Sequence, residues 1–170
     1  TNTIEQFKVL IDSETKEGLP YHQVRVQSDL VTGNLSGTFT YEALPIISQH
    51  LLHKYLPILI DKPSGEYPAN TNFDFYAYFR ELDQLTSVLK LGIEIPSYPT
   101  IKGYLHNQQI GIQAFVPSIK TSKTQFNDIT FALDNADSDK LDVSLYMLTH
   151  LPQDNPTAAR LGDIKTTFNV

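Results

Sequence analysis

The feature that most constrains this chain is apolar residues alternating with polar ones at period two, between turn signals, along most of its length. Successive side chains of a strand point to opposite faces, so this pattern gives each strand one face to bury and one to leave in water. Phe7, Val9 and Ile11 begin it, and Lys16-Glu17-Gly18 reads as a turn. Val24 and Val26 then alternate with Gln23, Arg25 and Gln27. A second turn is expected at Thr32-Gly33. Beyond it Leu35, Gly37, Phe39 and Tyr41 share one face, and Asn34, Ser36, Thr38 and Thr40 the other. Only 19% of the residues are charged against 41% hydrophobic, so the wet face must be built from Ser, Thr, Asn and Gln, a balance that favours strands.

The period changes once. Leu44, Ile47, Leu51, Tyr55 and Ile58 recur every three or four residues, with His50, His53 and Lys54 outside the stripe and Pro45 in a first turn that tolerates it. This spacing predicts an amphipathic helix over about 44–56, ended by Pro57, followed by an aperiodic Pro/Gly-bearing loop over 61–68. Phe73, Phe75, Ala77 and Phe79 then form one face of a strand, and Leu82, Leu85 and Leu89 suggest a second short helix.

From Thr100 the alternation is nearly continuous. Ile101/Gly103/Leu105, Ile110/Ile112/Ala114/Val116, Ile129/Phe131/Leu133, Leu141/Val143/Leu145 and Ile164/Thr166/Phe168/Val170 each give one apolar face. Asn107-Gln108, Pro117 to Lys123, Asn135 to Asp139 and Pro152 to Thr157 separate them. The expected fold is mainly β: an antiparallel amphipathic meander of about nine strands, forming an open, bent sheet or a sandwich-like groove, with one or two inserted helices. Its 170 residues, with no linker-like stretch, form a single unit over 1–170. Because it begins and ends within an alternating pattern, the chain reads as a segment of a longer protein whose signal or anchor lies elsewhere.

Several chemistries lack their residues. A net charge of −6 provides no basic excess for a phosphate backbone, so nucleic acid is not an expected partner. Without cysteine there are no disulfides, thiolate metal sites or thiol nucleophiles. His50 and His53 stand three apart but have no further ligand at helical spacing, and read as solvated helix-surface residues. The acidic run 134–139 lacks the glycine and terminal glutamate of a calcium loop and reads as a turn. No Gly-x-Ser-x-Gly elbow, His-Glu-x-x-His pair or phosphate-binding glycine loop occurs. No enzyme activity, metal or cofactor is expected.

The run Phe73 to Phe79 places rings on both faces of one strand. Phe73, Phe75 and Phe79 are expected to face the core, with Tyr76 and Tyr78 covering a helix or partly exposed. A carbohydrate platform is the alternative use of such rings.

In chain order, the segment Leu30 to Tyr41, the helix end Leu51 to Pro57, Phe73-Asp74-Phe75 leading into Leu82, Leu91 to Pro96, Ile101 to Leu105 and Ala159 to Ile164 resemble the large TamB/AsmA-like translocation and assembly proteins of the cell envelope, in their Bacteroidota form. The resemblance runs from about residue 20 onward and rests on a repetitive pattern of strand, glycine and apolar residue. It implies a periplasmic, inner-membrane-anchored β-structure reaching toward the outer membrane. Its open, bent sheet would have an apolar concave side that conducts phospholipid acyl chains or assists outer-membrane protein assembly. It carries over no catalytic residues. It does carry over an apolar strand face: Leu35, Phe39, Tyr41, Phe73, Phe75, Ile101, Leu105, Ile110, Ile112, Phe131, Leu133, Val143, Leu145 and Phe168. The implied partners are phospholipid acyl chains and an outer-membrane assembly protein. The rival expectations are a secreted or surface glycan-binding β-sandwich and a ligand-free spacer.

Overall fold

The computed structural model describes residues 6–55, 61–80, 82, 86, 92–96, 98–135, 140–150 and 164–169. The strands are β1 (Phe7–Lys16), β2 (Leu19–Ser28), β3 (Val31–Thr38), β4 (Asn72–Phe79), β5 (Ile93–Glu94), β6 (Thr100–His106), β7 (Gln109–Thr121), β8 (Gln125–Asp134), β9 (Lys140–His150) and β10 (Ile164–Asn169). Among the described residues one continuous helix, α1 (Ala43–Tyr55), lies between β3 and β4. Nine strands form one open antiparallel sheet in the order β1-β2-β3-β4-β6-β7-β8-β9-β10, and two-residue β5 pairs with the far end of β7. The expected meander is therefore present as one open sheet, not as a closed sandwich.

Local chemistry sets the hairpins. Glu17 and Gly18 both adopt positive φ (52° and 79°), as do Asn107 and Gln108 (51° and 67°). Two-residue turns of this hand match the twist of the strands they join. The turn after β2 is not at Thr32-Gly33, which lie inside β3 opposite Tyr78 and Ala77. It falls instead at Ser28-Asp29-Leu30, where the buried Ser28 Oγ accepts the backbone N–H groups of Leu30 (3.2 Å) and Val31 (3.0 Å). A serine that satisfies the turn's own donors outcompetes a glycine whose backbone is already paired.

β7 also departs from expectation, because it runs through Pro117 to Thr121. Pro117 sits where the register with β8 steps from Val116↔Ile129 to Ser118↔Asn127, a place where no ladder N–H is required. β3 ends at Thr38, whose partner Asn72 is the first residue of β4. Phe39 and Tyr41 therefore leave the sheet, and Ala43 and Leu44 N–H donate to the Thr40 and Tyr41 carbonyls as the chain turns into α1.

α1 lies against one end of the sheet. Ala43 and Ile47 form a buried cluster with Leu105, and Leu51, Tyr67, Phe73 and Ile110 pack around it. His50 is not a solvated surface residue: it is half-buried, with its ring 5.6 Å from that of Tyr67 in an edge-on arrangement, and His53 is half-buried as well. The loop that brings Tyr67 under the helix was aperiodic in sequence, so nothing there marked the histidine face as covered. Most of the second expected helix, 82–89, lies outside the described residues; Leu82 and Thr86 are helical and Thr86 is buried. Pro57 and 152–157 also lie outside them.

Candidate functional site

The pairing register decides which side chains share a face, since directly opposed residues point the same way and a slip of one would reverse them all. Two rows cross the whole sheet. The first is Val9, Val26, Gly33, Ala77, Ile101, Ala114, Phe131, Leu145 and Ile164. The second is Ile11, Val24, Leu35, Phe75, Gly103, Ile112, Leu133, Val143 and Thr166. A third row holds Gly37, Phe73, Leu105 and Ile110, and Phe168 pairs with Leu141 at the β9–β10 end.

The expected apolar residues are thereby brought together, with two exceptions and one restriction. Phe39 and Tyr41 lie beyond the strands; Phe39 is buried among the rings of His22, Tyr41 and Phe73, whereas Tyr41 is exposed. Leu105 is 1% exposed beneath α1, with Phe73 and Ile110 beside it, so this end of the face is already occupied. The other positions from Leu35 to Leu145 are half-buried and lie outside the buried cluster beneath α1. Val9, Val24, Val26, Ile11 and Ala77 belong to the same rows but were not singled out as site residues. Their alternation was visible in sequence; their registration with β6 to β9 was not. At roughly 4.8 Å per strand step, the rows extend about 40 Å across the sheet.

The opposite face is polar and internally bonded. Arg25 meets Asp12 at 2.5 Å, Gln23 donates to Asn34, Asn34 donates to Ser36, and the His106 ring lies 3.2 Å from Asp74. The Tyr104 hydroxyl donates to Asp134 at 3.2 Å; burial first, then this bond and the Asp134 charge, push its phenol up from the ordinary value. A shallow depression lies in the middle of the sheet, lined by Asp74 and Phe75 and by residues 102–104, 111–113 and 132–134, and so draws on the second apolar row as well as on polar neighbours.

Among the described residues no group of three or more His, Asp or Glu side chains converges on a metal-sized site. No helix among them is long and apolar enough to cross a membrane. No family model, curated protein or solved structure matches this chain.

Proposed function

We propose that this chain is a non-enzymatic segment of a TamB/AsmA-like periplasmic scaffold that holds or conducts phospholipid acyl chains along its apolar sheet face, between inner and outer membranes. One observation carries the reading: two largely apolar rows cross nine strands of an open sheet, and their positions from β2 to β9 are half-buried and lie outside the buried cluster beneath α1. Such a surface takes an alkyl chain with no polar contact, at about 0.8 kcal/mol per methylene buried. Its length is of the order of an extended acyl chain or two end to end. α1 closes the end at Leu105 and leaves the stretch through Phe75, Ile112 and Phe131 for the lipid. In this reading the outer-membrane partner is an assembly protein reached by the remainder of the scaffold.

The test is native mass spectrometry and solvent extraction of the purified protein, together with photocrosslinking from Phe75 and Phe131 in cells. Co-purifying phospholipid and lipid crosslinks at both positions are expected. Protein free of phospholipid and silent at both positions overturns the proposal.

A further inference from the structure

Away from the β1–β2 hairpin and Tyr41, the exposed large apolar residues are Tyr76, Tyr98, Phe115 and Tyr146, and none of them lies on the apolar face. The register places Tyr78, Thr100, Phe115, Thr130 and Tyr146 in one row of the polar face, crossing β4, β6, β7, β8 and β9. Rings and threonines alternate in it, so the rings recur every second strand, about 9.6 Å apart. At one end the Tyr78 ring is stacked on that of Tyr98 (centroids 5.6 Å, planes 27° apart), and the Arg80 guanidinium stands 5.5 Å over Tyr78. The neighbouring row, from Tyr76 to Ser144, is Tyr76, Lys102, Gln113, Ala132 and Ser144, and its one charged residue is cationic. Carboxylates Asp74, Asp134 and Asp142 lie together in the next row, beyond Lys102. In a chain of net charge −6, rings and cations have been gathered at one end of this face.

We infer that the polar face binds an extended, β-1,4-linked acidic polysaccharide, with alternate sugar rings seated on Tyr78–Tyr98, Phe115 and Tyr146 and its carboxylates facing Lys102 and Arg80. In such a polymer alternate residues present the same face, at an interval close to two strand spacings. The apolar face of a pyranose packs flat on an aromatic ring, while Thr100, Thr130 and Gln113 offer hydroxyl and amide partners between the rings. Stacked nucleobases follow one another more closely than these rings do. This site uses the face opposite the acyl-chain rows, so the two readings stand or fall separately.

The test is isothermal titration of the whole chain with a β-1,4-mannuronate hexamer, with cellohexaose and with a thymidine decamer. The hexamannuronate is expected to bind, cellohexaose about tenfold more weakly, and the decamer not measurably. Phe115→Ala and Tyr146→Ala are each expected to weaken hexamannuronate binding about fivefold to tenfold, and Lys102→Gln to erase the preference over cellohexaose. Far-UV circular dichroism identifies any variant that has lost its fold; Lys102→Gln, at an exposed position, keeps the test decisive in that case. Absence of hexamannuronate binding, binding indifferent to the ring variants, equal affinity for cellohexaose, or tighter binding of the decamer each overturns the inference.

Discussion

The ring of Phe75 lies across Gly103, its partner on the adjacent strand: a Cβ added to the glycine would stand 2.7 Å from Cε1 and Cζ of that ring. The same position closely approaches the Gly111 carbonyl. An aromatic side chain thus covers backbone that a glycine leaves bare, in the middle of the second apolar row. Gly103→Ala is expected to destabilise by about 1–3 kcal/mol, because ring and backbone must both give way. Phe75→Leu in the same chain is expected to recover part of that loss, leaving the share due to the carbonyl. Urea unfolding of the two single variants and the double variant measures the coupling, and strict additivity would show that the ring does not restrain position 103.

Asn135 is buried beside the β6–β7 hairpin and ties it down. Its side-chain oxygen accepts the Ile110 N–H, its amide donates to the Gln108 carbonyl at 3.3 Å, and its own N–H donates to the Ile110 carbonyl at 3.1 Å. Asn135→Ala strands at least two of these groups, with an expected cost of about 2–3 kcal/mol. In the turn itself, Gln108 holds φ at 67°, a region a glycine enters freely. Gln108→Gly creates the Asn-Gly pair preferred in such turns and is expected to stabilise by up to about 1 kcal/mol. Thermal melts of both variants test this, and a lowered melting temperature for Gln108→Gly rules out the strain.

Alternation in the sequence was enough to expect about nine strands and to group the apolar residues of each on one face, because with period two each strand's own residues carry that information. Leu35, Phe75, Ile112 and Leu133 illustrate this: each was assigned to an apolar face strand by strand, and the register joins them in one row. What was not legible depended on partners distant in sequence. Thr32-Gly33 looked like a turn because glycine is a turn residue, but the Ser28 hydroxyl made the turn earlier. His50 looked wet because the loop that brings Tyr67 against it has no periodicity. The row of Tyr78, Phe115 and Tyr146 is spread over more than sixty residues and three hairpins, and only the pairing register assembles it.

Tyr67 is covered by α1, and burial pushes its phenol up from the ordinary value of 10.0. Its hydroxyl has no hydrogen-bond partner among the described residues. Tyr67→Phe is therefore expected to leave stability at neutral pH unchanged or raise it by about 1 kcal/mol. The alkaline limb gives the second readout. With the folded value above the unfolded one, the contribution of Tyr67 is fully present below about pH 10. It is lost as pH rises through the raised folded value, since the unfolded phenol ionises first. Urea midpoints of wild type and Tyr67→Phe should converge or hold steady up to pH 10 and then separate in favour of the variant. Parallel decline above pH 10 shows that this phenol carries none of the alkaline sensitivity.

Leu105 and Phe131 stand on the same face but are expected to fail differently. Leu105 is enclosed by Ala43, Ile47 and neighbouring side chains, so Leu105→Ala leaves a cavity and should cost about 2–5 kcal/mol whether or not any lipid binds. Phe131 is half-buried and outside that cluster, paired with Ala114 and Leu145 in the first apolar row. Phe131→Asp places a charge in the middle of the proposed acyl-chain track, where a carboxylate cannot be desolvated without a partner. The expected outcome is a folded protein that no longer retains phospholipid. Thr38→Asp, on the polar face opposite Tyr21 and Asn72, should change stability by no more than about 0.5 kcal/mol and leave lipid retention intact. Circular dichroism and phosphorus content of the three purified variants separate the cases. If Phe131→Asp and Thr38→Asp retain equal phospholipid, the apolar face is a core surface awaiting a protein partner, not a track for acyl chains.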